Sequence, residues 1–321
     1  MKKITTVLGD IAPEALGFCQ SHEHLSIAGN SLAGAQDRGI DDPEKSAAEL
    51  ERYYTAGGRA LVDAQPLGCG REAGILAHIS QKSGIHIIAS TGFHKLSYYP
   101  DGHWMHTTGG EELARLFIHE LEQGMYLDGD ASVPRQHGDA RAGQIKTAID
   151  TEGLSPRYEK LFAAAVEAAK STGCALMAHI EQSIDPRPLA AFLGRQGLPG
   201  NRVIFCHLDR AIADMNIHKE ICEQGIYLEY DTIGRPKYHD NGKEADIILE
   251  MVEAGYEGQL LLSLDTTRAR LASYGGAPGL AHILDDFIPL LLKKGITEAQ
   301  IKCFFVENPV RVFARPEYNN I

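Results

Sequence analysis

Several segments end in residue types that bind metal ions: Ser21-His22-Glu23-His24-Leu25, Ala178-His179-Ile180, Cys206-His207-Leu208 and Leu264-Asp265-Thr266. Each closes a short run of apolar or β-branched residues, the signature of a strand. Side chains alternate along a strand, so His22 and His24 share one face while Glu23 takes the other. Two imidazoles on one face can hold one ion, although a lone His-x-His also occurs as two ordinary polar side chains. Cys206, adjacent to His207, is expected on the opposite face and is not counted as a ligand. A fifth run, Gly143-Gln144-Ile145-Lys146-Thr147-Ala148, carries a lysine into a segment that reads as interior, where an unpaired ammonium is costly. One resolution is a buried carboxylate partner. The other is chemical: desolvation favours the neutral form of a buried amine, and a neutral amine can add carbon dioxide to give a carbamate, an anionic ligand with two oxygens.

Residues so far apart in sequence share a site only if the fold gathers strand ends. Eight strand-like runs are expected, at Gly17–Leu25, Ala60–Gln65, Ile85–Gly92, Gln144–Asp150, Cys174–Ile180, Arg202–Leu208, Ile226–Asp231 and Gln259–Asp265. Between them lie amphipathic stretches with helix caps, at Pro43–Ala56, Arg71–Lys82, Glu111–Gln123, Pro156–Ser171, Ala211–Glu223, Glu244–Glu253 and Leu280–Lys293, several followed by glycine. Strand-helix alternation of this length predicts an α/β fold, a (β/α)8 TIM barrel, in which the carboxyl ends of the strands converge on one pocket. Residues before Gly17 are expected to form a small N-terminal β cap, and with no composition break residues 1–321 read as one domain. Phe93–Gly110 and Asp128–Gly143 interrupt the rhythm after the third strand, as substrate lids or, for the second, as a solvated excursion.

A formal net charge of −12 over 321 residues argues against nucleic acid as a partner, because a polyanion needs a basic face. The absence of a long apolar run predicts no membrane span and a cytoplasmic protein. Six dispersed cysteines without a C-x-x-C pair indicate buried thiols rather than a disulfide framework.

His22-x-His24, Lys146 in its G-x-I-K context, His179, His207 and the S-x-D of Ser263-Leu264-Asp265 resemble the signature of the phosphotriesterase family. The resemblance covers nearly the whole chain and includes Ser90-Thr91-Gly92, Asp231-Thr232-Ile233-Gly234 and Glu307-Asn308-Pro309. It implies two divalent ions, zinc or else manganese or cobalt. His22, His24 and Asp265 would hold the more buried ion and His179 and His207 the more exposed one. Carboxylated Lys146 and a hydroxide would bridge them, with Asp265 as the catalytic proton acceptor. The run L-S-L-D-T-T-R-A-R is similar to the subgroup that opens phosphorylated sugar lactones. Lys237 and Arg268 would then clamp a phosphate, or else be solvated loop charges, with His94 and Tyr98 contacting the lactone. The small-molecule substrate would be an anionic sugar-lactone phosphate, and the resemblance suggests a homodimer. The rivals are an organophosphate, ester or amide hydrolase on the same site, a related deaminase, against which Lys146 counts, and a barrel that binds metal or sugar phosphate without turnover.

Overall fold

The computed structural model describes residues 2–29 and 39–316. Eight parallel strands form the central sheet: β3 (Cys19–Glu23), β4 (Ala60–Asp63), β5 (His86–Gly92), β6 (Ala142–Ile149), β7 (Leu176–Ile180), β8 (Val203–Cys206), β9 (Tyr227–Tyr230) and β10 (Leu260–Leu262). They pair in strict sequential order, as right-handed βα crossovers require.

The first and last strands meet through the residue between the two histidines. Glu23 Oε1 accepts from the Leu264 amide at 2.9 Å and Oε2 from the Thr266 amide at 3.0 Å. The Asp265 amide donates to the His22 carbonyl at 3.0 Å. The alternation that sends Glu23 away from its neighbours thus lets its carboxylate stitch the barrel shut, and the expected (β/α)8 barrel is the observed fold.

Helices sit outside the sheet, at Pro43–Ala56, Ala73–Ser83, Gly110–Glu122, Pro156–Thr172, Arg187–Arg195, Met215–Glu223 and Asn241–Glu253. Their inward faces pack on the outward faces of the strands in one continuous apolar layer. A second, smaller cluster with Ile4, Leu16, Cys19, Ala60, Ile88, Ala175 and Ile204 fills the amino-terminal end of the barrel. There β1 (Lys2–Thr6), β2 (Gly9–Ile11) and β11 (Arg315–Pro316) form a three-stranded antiparallel sheet, the expected cap completed by the carboxyl-terminal segment. Arg187–Arg195 was not among the expected helices, and the stretch expected at Ala211–Glu223 is helical from Met215 to Glu223, with a separate short helix at Leu208–Ala211 before it.

Both long excursions after β5 and its helix are pinned. Arg71 and Glu120 form a buried two-bond ion pair at 2.9 and 2.6 Å, and Arg71 also donates to the carbonyls of Ser90 and Tyr126. The Trp104 indole donates to the Gly129 carbonyl at 2.8 Å, and Asp130 accepts from the Gly70 amide at 2.9 Å. Gly129 and Asp130 therefore rest against the Phe93–Gly110 excursion, and Asp128–Gly143 contributes nothing to the wall of the central cavity.

Candidate metal centre

The carboxyl ends of the strands open on a cavity of about 420 Å³. His22, on β3, and His24, just past it, point into it with ring centroids 5.7 Å apart. Their Nε2 atoms lie 3.7 and 3.4 Å from Asp265 Oδ1. His179, on β7, and His207, after β8, face each other edge-on at 4.4 Å, and His207 is 5.0 Å from His22. Lys146, on β6 and only 1% exposed, reaches within 3.1 Å of His22 Nε2 and 3.7 Å of Cys206 Sγ. All six expected ligands thus meet at one mouth.

The strands end sooner than the sequence suggested. His24, His207 and Asp265 all lie beyond their strands, and His207 and Asp265 adopt left-handed backbones with φ of 71° and 49°. Non-glycine residues in that region are rare and cluster at functional sites. The turn at His207 also breaks the alternation that placed Cys206 on the far face. That expectation is corrected, because Cys206 Sγ points into the barrel, close enough to His22 and Asp231 to form a group of three potential ligand atoms. Burial pushes its thiol well above the usual cysteine range, so the neutral thiol packs beneath Lys146.

Asp231, just past β9, is the residue that strand-end reasoning passed over. Its Oδ1 lies 2.6 Å from His207 Nδ1 and its Oδ2 3.2 Å from His22 Nδ1. One fully buried carboxylate thus orients two imidazoles, the device that fixes ring tautomers at metal sites. The available signal was positional, since Asp231 ends the seventh predicted run as Asp265 ends the eighth.

Burial, followed by the charge of Lys146, lowers the pKa of His22 to about 4. Burial lowers His179 to about 4 as well, and takes His207 and His94 well below the usual histidine range. Burial opposes ionisation of the two aspartates, but other groups override it. Arg235 and His24 hold Asp265 well below the carboxylate range, and His207, with His22, does the same for Asp231. Neutral imidazoles beside ionised carboxylates are the protonation states that metal ligands need. The buried ring atoms His24 Nδ1 and His179 Nε2 have no hydrogen-bond partner. Two groups, His22–His24–Asp265 and His207–Asp231–Asp265, each bring three ligand atoms within 4.8 Å of one another. The donor set fits divalent ions that accept nitrogen and oxygen, zinc included.

The rest of the wall is mainly cationic and aromatic, with Lys95, Arg210, Arg235 and Lys237 beside His94, Tyr98 and Tyr238, and it includes one further carboxylate, Glu181. Arg235 and Arg210 approach Asp265 Oδ2 at 3.0 and 3.3 Å. The Arg210 guanidinium and Lys237 ammonium lie 4.9 and 4.6 Å from the centroid of the Tyr238 ring, and the His94 ring stacks on Tyr98 at 4.2 Å. Lys237, His94 and Tyr98 therefore stand where the sequence put them. Arg268 does not: it donates to the Gly39 carbonyl at 2.7 Å, pairs with Asp41 at 3.0 Å, and is absent from the cavity wall. The expectation that Arg268 lines the cavity beside Lys237 is corrected; the arginine that flanks Tyr238 with Lys237 is Arg210, which enters from the short helix after β8 and carried no motif of its own.

Residues 2–313 match the phosphotriesterase family. The phospho-furanose lactonase of Mycoplasmopsis synoviae (strain 53) is 29% identical over 98% of this chain and 92% of its own length. The N-acetyltaurine hydrolase of Danio rerio is 27% identical over 96% of this chain and 97% of its own. A crystal structure of an amidohydrolase from Mycoplasma synoviae superposes with a TM-score of 0.93 at 27% identity, covering 99% of this chain and 94% of the other. With a matching model along almost its full length and the ligand types of a metal centre gathered at the barrel mouth, the chain belongs to the phosphotriesterase family and is a metal-dependent hydrolase.

Proposed function

We propose that the hydrolase is a lactonase for phosphorylated sugar lactones, working with two divalent ions, zinc in the first place. His22, His24 and Asp265 would hold one ion, His179 and His207 the other, and Lys146, carboxylated on Nζ, would span them. On this reading residues 1–321 act as one cytoplasmic unit. When bound, the ions supply an acidified water and polarise the scissile carbonyl.

The chain's own residues do the rest. The stacked His94 and Tyr98 rings form an apolar wall for the lactone ring. Arg210 and Lys237, flanking Tyr238, would hold the phosphate, Arg through paired donors and Lys as a compact charge. Asp231 keeps His22 and His207 oriented. Asp265 accepts the proton released as water attacks the carbonyl and returns it to the ring oxygen that leaves as an alkoxide, so that water and lactone become a hydroxy acid.

The observation that carries this reading is the charge of the wall. A chain of net charge −12 gathers Lys95, Arg210, Arg235 and Lys237 around one cavity against the two carboxylates Glu181 and Asp265, a surplus of positive charge that suits an anion and would be wasted on a neutral organophosphate. The similarity to a phospho-furanose lactonase supports the same class. An anionic amide is the second reading, supported by the similarity to an N-acetyltaurine hydrolase. Metal-loaded protein assayed by proton release on lactones with and without phosphate, and by amine release on N-acetyltaurine, separates them. Phosphorylated lactones should exceed their dephosphorylated counterparts in kcat/KM by about tenfold or more. Equal values would remove the phosphate clamp, turnover of the amide alone would favour the second reading, and silence on all substrates would favour a binding protein.

A further inference from the structure

One ion pair on the cavity wall has no part in the metal centre or the phosphate clamp. Lys95 Nζ lies 2.7 Å from Glu181 Oε2, and both residues line the cavity. Glu181 follows β7, two residues past His179, whereas Lys95 arrives on the excursion after β5 with its ammonium 4.8 Å from the centroid of the Tyr98 ring. Glu181 Oε1 accepts from the Gln182 amide at 2.9 Å. The carboxylate is thus fixed at both oxygens by separate elements, while a carboxylate offers about four lone-pair sites.

Its position is specific as well as rigid. Glu181 Oε2 lies 3.6 Å from His179 Nε2, one of the buried ring atoms without a hydrogen-bond partner. Apart from Asp265, Glu181 is the only carboxylate on the cavity wall among the described residues. A bare carboxylate would repel an anionic substrate. Lys95 cancels that charge, so what the pair adds is a directional acceptor beside the reacting group. A lactone ring without hydroxyls gains nothing from such an acceptor; a polyhydroxylated ring does.

We infer that the Lys95–Glu181 pair selects substrates by a ring hydroxyl, Glu181 accepting the O–H and Lys95 holding the carboxylate in place. This assigns a specificity-determining contact and rests on the lactonase reading above. Arg210 and Lys237, on the loops after β8 and β9, read the phosphate; Lys95 and Glu181, on the loops after β5 and β7, read the sugar.

The test compares wild type, E181A and E181Q on a sugar-lactone phosphate with free ring hydroxyls and on its counterpart lacking them, with metal content measured for each protein. The quantity read is the ratio of kcat/KM between the two lactones. It should fall by about tenfold in E181A, chiefly through KM, as expected for losing a hydrogen bond to a charged acceptor. E181Q, whose amide oxygen still accepts, should fall between E181A and wild type. K95M, which frees the carboxylate without removing it, should lower the ratio in the same direction and serves if E181A does not fold. An unchanged ratio in E181A and K95M overturns the inference while leaving the lactonase reading intact. Reduced metal content in E181A also overturns it, by making Glu181 a support of the metal centre. A wild-type enzyme that opens neither lactone sinks the functional reading and this inference together.

Discussion

Lys146 is the residue on which the number of ions turns. Its Nζ is held near His22 Nε2 and Cys206 Sγ, and among the described residues it forms no ion pair with a carboxylate, which removes the ordinary explanation for a lysine inside a barrel. Replacing it with alanine should lower the bound metal from two ions to one or fewer and reduce kcat by about 100-fold or more. Acetate or propionate should restore part of the activity by supplying the missing carboxylate. Metal analysis and turnover measure both, and a Lys146→Ala protein with two ions and full activity would end the carbamate proposal. Arg210→Ala should lower kcat/KM for a phosphorylated lactone by about 10-fold to 100-fold, while Arg268→Ala, whose side chain is engaged with Gly39 and Asp41, should change it by less than about threefold; the reverse ranking would restore the original clamp. The gathering of the candidate ligands was legible because histidine, aspartate and an interior lysine are unusual at strand ends. Arg210 and Arg235 were not, since a cation in a loop reads the same whether it faces solvent or a pocket.

At the scale of elements, the periodicity of the chain predicted the eight strands and missed where they stop. The ladder ends at Glu23, Cys206 and Leu262, and the next residues curl toward the barrel axis, a three-dimensional requirement of the mouth that a period of two cannot express. The Arg187–Arg195 helix escaped notice because its short apolar face begins beside a proline, in a segment that also reads as a turn. Gly92, the last residue of β5, shows how tightly neighbouring strands are set. It has φ of +101°, and a Cβ there would lie 2.0 Å from the carbonyl oxygen of Lys146. Gly92→Ala must therefore shift backbone in the strand that carries Lys146. Both the positive φ and the clash oppose it, so it should destabilise the protein by at least about 2 kcal/mol and weaken metal retention in parallel. Chemical denaturation and metal analysis would show this, and wild-type values for both would mean that β5 and β6 are not held in register at this point.

The molecule as a whole makes the mouth a place of buried imidazoles and gathered cations, and metal removal should expose that design. The proposed ligands come from β3, β6 and β7 and from the loops after β3, β8 and β10, so bound ions add a further tie between segments already joined by the sheet and by Glu23. A ligand that binds only the folded state stabilises it by about 4 kcal/mol at thousandfold excess over its Kd, which for a chain of this length is roughly 5 °C or more in Tm. Chelation should lower Tm by that amount at pH 7. The dependence on acid follows from the histidines. With metal-free folded pKa values of about 4 against ordinary values of 6.5, His22 and His179 are neutral above about pH 5, so protons begin to compete with metal for them only as the pH nears 4. The same depression costs the metal-free fold stability between pH 6.5 and 4, because the unfolded chain then binds more protons. Glu23 and Asp209 act in the opposite sense, since burial raises their carboxyls to about 7 and the fold binds the extra protons over that range. The difference in Tm between loaded and stripped protein cancels these shared terms and isolates the ions. It should hold from pH 7 to about 5 and collapse toward 4, as followed by thermal unfolding with matched metal analysis. A collapse already centred above pH 6 would mean that the imidazoles titrate like exposed ones, and that the barrel mouth does not shield them as its burial requires.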